Sequence, residues 1–490
     1  MPCSYQQGGQ SMSEEKRRKV VLPSCTITEV CDEGDPRGSK KTIPAVGKRT
    51  AYSYYVRPVM DDESEHQFSF NLFPVVLDQH GVPWDIAAIY ILSRLEGVAL
   101  PNMTTYQSIA EDLGVFKAFL DEKNIDFTEF PQMKLKRPTY RYHGYLKQQM
   151  FAQEIAPTTA KRRMGCVIKF YRWLTQEDVL TLKHDPWQER DYYLDFKDAR
   201  GISMTKKVAT TDVSVKSPKQ DDPFDGTIDD GGKLRPLPPV EQNWIMDALS
   251  HLGNTEMTLI HLFMLLTGAR IQTALTLKVR HVQLELPENL REFRMVAGPG
   301  TGIDTKYDKS LSLHVPGKLY ELLRTYSYSD RARHRRERAA GGDTENQYLF
   351  LTQHGAPYYQ SKAETHVFDP SFQRRHHKRG QPVRQFLTDY LIPHIRQVHD
   401  PKFHYRVHDL RASFGMNLTD MQLKLVEEGR ISLAQARTFV QKMMCHESSA
   451  TTDLYLNHRK QMEMVYAAID GYEAQVARWI DSSMDGLVHE

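Results

Sequence analysis

The feature that most constrains how this chain folds is a break in its patterning. After Lys216 the sequence runs SPKQDDPFDGTIDDGGKLRPLPP to Pro239, rich in Pro, Gly and Asp, which cannot continue a regular helix or strand. At 490 residues the chain is too long for one ordinary domain. The break therefore separates two cores. The expected layout is a tail over 1–48, a small β-rich arm over 49–83, a helical domain over 84–180, a linker over 181–233 and a second domain over 234–490. The fold class expected is mainly α, with a small β-hairpin in the second domain.

Residues 1–48 mix Ser, Gly, Lys and Pro without apolar periodicity and read as lacking stable structure. In SYYVRPV and FSFNLFPVVL, aromatic and β-branched residues alternate loosely, which reads as a β-rich arm. Farther on, Ile109, Leu113, Phe116 and Leu120 recur at steps of three and four, as do Met164, Val167, Ile168, Tyr171 and Leu174. Each set lays one apolar stripe along a helix. Between and beside these stripes lie Lys134, Lys136, Arg137 and Arg141, interleaved with Tyr140, Tyr142 and Tyr145, and then Lys161, Arg162 and Arg163. Basic and aromatic residues together suit contacts to a nucleic-acid backbone; a solvated cationic face is the competing reading.

Bulk composition excludes several classes. With 40% hydrophobic and 26% charged residues the chain reads as soluble and globular. The apolar run from Leu259 to Leu266 is far short of the roughly 18 residues a membrane span needs, and MPCSYQQGGQSMSEEKRRK lacks the apolar core of a signal peptide. Five cysteines with no CxxC pair point to a reducing compartment, without disulfides or a zinc site. The expected location is therefore cytoplasmic. A net charge of only +2 requires any basic footprint to be local. Two such runs, RARHRRER (331–338) and RRHHKR (374–379), read as solvated loops also able to grip phosphates.

Beyond the break, HLFMLLTGAR is a buried helix ending at Gly268 and delivering Arg270. EFRMV and SLSLHV alternate with period two around Gly-rich sequence, an antiparallel hairpin with Leu311, Leu313 and Val315 on one face. Lys306 falls at the start of the returning strand, with Lys309 three residues on. HDLRASF places His408 and Arg411 on one helix face. His446 precedes Tyr455 by nine residues, and the Ser and Thr between them offer helix caps. Taken singly, each has a plain alternative: a capping arginine, a solvated lysine, a surface His–Arg pair, a packed tyrosine.

Their order carries more. Arg, Lys, H-x-L-R, then His with a tyrosine nine residues on resembles the tyrosine recombinase or phage integrase family, over roughly residues 234–482. The helical segment over 100–178 is similar to that family's core-binding domain, and Asp185–Trp187 to the turn that follows it. The resemblance implies Arg270 and Arg411 as paired phosphate-binding arginines, Lys306 as the hairpin lysine, His408 and His446 as the two histidines, and Tyr455 as the nucleophile. It further implies double-stranded DNA as substrate, association with the nucleoid, a homo-tetramer on DNA, and neither metal nor cofactor. In the family a helix after the nucleophile docks on a neighbouring protomer; here Met462, Val465, Ile469, Tyr472, Val476 and Trp479 form an apolar stripe suited either to that or to packing within the domain. Departures from the pattern are Thr273 where a Glu is usual, Cys445 where a glycine is usual, and a longer hairpin that makes Lys309 a rival to Lys306. They keep open a DNA-binding accessory protein with a decayed site. A type IB topoisomerase is the nearest enzymatic alternative, although His408 stands where those enzymes usually carry a lysine.

Overall fold

The computed structural model describes residues 18–43, 50–60, 68–197, 203–216, 225–287, 290–369, 371 and 378–488. The chain divides into two compact units, Met1–Gln220 with His366–His376, and Asp221–Thr365 with His377–Glu490. It is mainly helical with small antiparallel sheets.

In the first unit, strands β1 (Lys19–Thr26), β2 (Thr28–Cys31), β3 (Ser39–Ile43), β4 (Tyr52–Pro58) and β5 (Ser69–Val76) precede the helices. β1 pairs antiparallel with β5, and β2, β4 and β3 make a three-stranded sheet. The structureless tail expected over 1–48 thus fails for residues 18–43; residues 1–17 and 44–48 lie outside the described ones. KVVLPSCT is too short and too mixed to announce itself as a strand. What stabilises it is pairing with β5, and Phe70, Phe73 and Val76 of β5 are buried in the helical core.

Helices α1 (Asp85–Ser93), α2 (Met103–Glu122), α3 (Pro138–Phe151) and α4 (Pro157–Gln176) then build that core. α2 starts where the Asn102 side chain accepts the Thr104 amide at 3.3 Å, and buries Leu113, Phe116 and Leu120. α4 starts on Pro157 and buries Met164, Val167, Ile168, Tyr171 and Leu174, the expected stripe. Strands β6 (Glu189–Lys197) and β7 (Ser203–Thr211) pair as a hairpin within the expected linker, so structured chain extends well past residue 180. A later excursion joins this unit too: the Asn71 amide donates to the Val367 carbonyl at 2.7 Å.

The second unit opens with a minimal hairpin, β8 (Ile228–Asp229) and β9 (Lys233–Leu234). It continues through α5 (Pro239–Leu252), α6 (Thr255–Thr267), α7 (Ile271–Leu275), the β10 (Glu292–Ala297) and β11 (Leu311–Pro316) hairpin, α8 (Gly317–Tyr328) and α9 (Asp330–Glu337). Then follow α10 (Gln381–Phe386), α11 (Ile392–Val398), α12 (Asp409–Glu427), α13 (Leu433–Met443) and α14 (Ser449–Val488). α6 is apolar on nearly every side because it is central, burying Met257, Ile260, Phe263 and Met264. β10 and β11 pair as expected, Met295 opposite Leu313 and Phe293 opposite Val315.

The basic run at 331–338 is a helix rather than a solvated loop. Arg331 and Arg335 both bind Glu256, whose side chain is fully buried, and Arg336 binds Asp343 at 2.5 Å. A buried carboxylate needs such partners, so these arginines are committed to the fold. Of the other run, residues 374–377 lie outside the described ones. Among the described residues no helix is long and apolar enough to cross a membrane.

Candidate active site

α6 ends at Gly268, in the left-handed region at φ 66°, where a β-carbon would lie 2.5 Å from the Phe414 ring. Only glycine allows that turn against α12. The chain then reverses, and Arg270 stands at the start of α7. On α12, Asp409 lies in the first turn and its carboxylate accepts the amides of Arg235 at 3.1 Å and Arg406 at 2.8 Å. That fixes the helix start, with His408 before it and Arg411 one turn in. Arg411 is 6% exposed, and each of its three nitrogens donates a hydrogen bond. Nη1 donates to the Gly268 carbonyl at 2.8 Å, Nη2 to the Met444 carbonyl at 2.9 Å, and Nε to Asp230 at 2.8 Å.

Tyr455 lies on α14, fully buried, in a small apolar cluster with Ile228, Leu234, Phe414, Met416, Val440 and Met444. Gly415 leaves room for its ring, since a β-carbon there would come within 2.4 Å of Tyr455 Cε1. The phenol points out of the cluster and donates to Asp230 Oδ2 at 3.2 Å. His446 Nε2 reaches the same oxygen at 3.3 Å, and its Nδ1 is held by the Thr452 hydroxyl at 3.0 Å. Arg270 Nη2 lies 3.5 Å from Oδ1 of the same carboxylate.

Four of the six expected groups therefore meet at one point, and that point is a residue the sequence reading assigned to a linker. Asp230 sits in the β8–β9 turn, whose ends are tied by Lys233 to Asp225 at 2.7 Å. Leu237 then donates its amide to the Ser413 hydroxyl at 2.9 Å. Nothing in the string DDGG marks its first or second Asp as special; a turn is all it encodes.

Electrostatics follow from this crowding. Burial favours protonated Asp230, but the hydrogen bond from His446 and the charges of Arg411 and Arg270 outweigh it and hold the carboxyl well below the usual range. Burial, and then the Asp230 charge, push the Tyr455 phenol far up. His408 is pushed down to about 4 by burial and by Arg270 and Arg411, so it is neutral at neutral pH. Among the described residues it makes no hydrogen bond to Tyr455. Arg270 Nε is buried and has no hydrogen-bond partner among the described residues, a donor still open for an anion.

Lys306 is not on the returning strand but in the loop before it, a turn strained by Tyr307 at φ 62° and Asp308 at φ 54°. Its Nζ lies 3.0 Å from where a β-carbon on Gly231 would stand, next to Asp230. The rival Lys309 is paired with Glu447 at 2.5 Å, which leaves Lys306 the better placed of the two. Cys445 occupies the left-handed region at φ 53° just past α13, a conformation that glycine adopts with least strain. Thr273 is buried, and its carbonyl accepts from the Thr276 hydroxyl at 3.4 Å.

The basic set in the first unit divides. Lys134 is half-buried, and Lys136, Arg141 and Lys161 are exposed. Arg162 is paired with Asp112 at 2.8 Å, and Arg163 is half-buried. Arg137 differs from its neighbours: it is 7% exposed and donates to the carbonyls of Pro131, Gln132 and Asp185 at 2.8, 2.9 and 2.7 Å. It ties Asp185 to the chain just before α3, with one hydrogen bond from each of its three nitrogens.

No protein-family model and no curated protein sequence matches the chain. It is similar to solved structures of integrases and a recombinase. The Tn1549 transposon integrase in complex with a circular intermediate DNA covers 76% of this chain and 93% of its own, at 13% identity and TM-score 0.40. A lambda integrase dimer bound to a COC′ core site covers 76% and 95%, at 12% identity and TM-score 0.41. XerA recombinase covers 78% and 98%, at 15% identity and TM-score 0.28. The likeness is distant, and the functional reading rests on the site itself.

Proposed function

We propose that this chain is a tyrosine-type site-specific DNA recombinase or integrase. It would cleave and rejoin double-stranded DNA through a 3′-phosphotyrosine, in the integration or excision of a mobile element. The observation that carries the reading is the convergence of Arg270, Arg411, His446 and the Tyr455 hydroxyl on a single buried monoanion. A phosphodiester is also a monoanion, and these donors are the ones its non-bridging oxygens need in the transition state.

In the proposed step the Tyr455 oxygen attacks phosphorus in line and its proton passes to His408, which is neutral and able to accept it. The charge of an entering phosphate would offset the Arg270 and Arg411 charges that, after burial, lower the proton affinity of His408. Arg270, Arg411 and His446 hold the non-bridging oxygens as charge builds. The bond from phosphorus to the 5′-oxygen breaks, and Lys306 supplies the proton that the 5′-oxygen takes. Two guanidiniums and a lysine offset the charge of the reacting phosphate, so the step calls on neither metal nor ATP. The covalent link conserves the phosphodiester energy for rejoining.

The test is a nicked substrate that traps the covalent protein–DNA adduct on a denaturing gel. Wild type should give the adduct, Tyr455→Phe should bind DNA and give none, and Arg411→Ala should lose about 10²–10³ in rate. Intact binding with no adduct from wild type would favour the accessory protein instead. Assembly as a homo-tetramer on DNA is part of the same reading. The α14 helix leaves Ile469, Tyr472 and Ile480 exposed at 47%, 63% and 56%. Truncation after Asn457 should then abolish DNA-dependent oligomers, and their persistence would refute this part.

A further inference from the structure

The residue at the centre of the site is not one of the six. We propose that Asp230 is a built-in phosphate surrogate, whose carboxylate holds the cationic cup assembled and closed until a DNA phosphate displaces it. This deepens the recombinase reading and rests on it for the identity of the displacing ligand.

Three observations carry it. First, the carboxylate takes the donors a phosphate needs: Arg411 Nε at 2.8 Å, His446 Nε2 at 3.3 Å and Arg270 Nη2 at 3.5 Å. Its side chain is 6% exposed, so it fills the position rather than fringing it. Two anions cannot share those donors, because each would lose half its partners and face the other's charge in a site shielded from water.

Second, the fit is incomplete in an informative way. Arg270 Nε is buried and, among the described residues, has no hydrogen-bond partner. The Asp230 carboxylate gives Oδ2 to Arg411, His446 and Tyr455 and meets Arg270 only through Oδ1 at 3.5 Å from Nη2, so it leaves Nε unserved. A tetrahedral oxyanion offers more oxygens, and can satisfy the remaining donor.

Third, the carrier is made to move while its flanks stay fixed. Strands β8 and β9 have two residues each, and the turn between them contains Gly231 at φ 72° and Gly232 at φ 147°, both exposed. On either side the chain is fastened, by Lys233 to Asp225 and by the Arg235 amide to Asp409. A change of turn conformation therefore swings one carboxylate without unfolding the cluster around Tyr455.

A fixed catalytic role fits less well. A carboxylate clasped by two guanidiniums and an imidazole is too weak a base to take a phenol's proton. While it accepts from the Tyr455 hydroxyl, its charge also disfavours the phenolate. In this position Asp230 silences the nucleophile, which protects a DNA-free enzyme from stray attack.

The test compares wild type with Asp230→Asn and Asp230→Ala, using inorganic sulfate as the probe and the nicked-DNA adduct assay as the second readout. Sulfate affinity, read by calorimetry, should rise at least tenfold in both variants, and adduct formation at limiting DNA should rise in Asp230→Asn. If removing the carboxylate weakens the fold, sulfate should restore the melting temperature of the variants while moving that of wild type little. Unchanged sulfate affinity, with no such rescue and with adduct formed by wild type but lost in Asp230→Asn, would overturn the proposal and leave the recombinase reading standing. Tighter sulfate binding with no adduct from any protein would uphold the surrogate and sink the recombinase reading.

Discussion

Tyr455 and Arg411 share one oxygen: the phenol donates to Asp230 Oδ2 at 3.2 Å while the Arg411 Nε donates to it at 2.8 Å. The two residues lie on different helices, α14 and α12, and neither helix orients both groups without the other. Between them stands Gly415, and its missing side chain sets the spacing.

Gly415→Ala should therefore disturb Tyr455, the proposed nucleophile. The added methyl would meet the Tyr455 ring at 2.4 Å and Met444 Cε at 3.0 Å, and helix backbone cannot retreat cheaply. We expect a loss of about 1–3 kcal/mol in stability. Denaturant unfolding measures the first effect. The adduct assay should show a larger loss than that of a control with equal destabilisation elsewhere.

Cys445→Gly should do the reverse. Cys445 holds a left-handed backbone at φ 53°, which costs a residue with a β-carbon about 1–2 kcal/mol. Part of the gain is offset by the greater freedom of glycine in the unfolded chain. A stabilisation of up to about 1 kcal/mol is expected, with adduct formation retained, as read by melting and by the gel. A drop in stability would mean that the thiol's packing near Ser312 outweighs the backbone strain.

Arg137 and Lys136 are neighbours in sequence with different expected fates. Arg137→Ala removes three hydrogen bonds to carbonyls and should cost about 3 kcal/mol of stability. Lys136 is exposed, and Lys136→Ala should leave the melting temperature alone. If it contacts a phosphate, it should also lower the salt slope of DNA binding by about 0.9. Unequal melting temperatures and salt titrations separate the two.

Acid sensitivity should trace to buried imidazoles. His261 is fully buried, bonded to the Met257 carbonyl at 2.6 Å and the Tyr405 hydroxyl at 3.0 Å, and burial pushes it down to about 4. An unfolded histidine takes its proton near 6.5, so between about pH 6.5 and 4 the unfolded chain binds more protons than the folded one. Stability from this group is present above that window and lost as pH falls through it, by up to about 1.4 kcal/mol per pH unit. His261→Gln should flatten that part of the stability–pH curve; an unchanged slope would remove His261 as the source.

Arg270, Arg411, His446 and Tyr455 stood out in the sequence because their chemistry is scarce and their order distinctive, and these four of the six expected residues meet at Asp230. The helical stripes were legible for a simpler reason, since burial on one side of a helix imposes a period that survives in the string. The β1 strand was not, because pairing with β5 across fifty residues leaves no local trace. Arg137 looked like its basic neighbours because charge is visible in a sequence and burial is not.

What the sequence alone determined, then, is which reactive groups exist and which helices and hairpin carry them. Tertiary structure decided where they meet and what holds them there: a carboxylate from a turn that reads as linker, two backbone carbonyls gripping Arg411, and a glycine making room for Tyr455. Those are long-range contacts, settled by how distant segments pack, and no local spacing of residues encodes them.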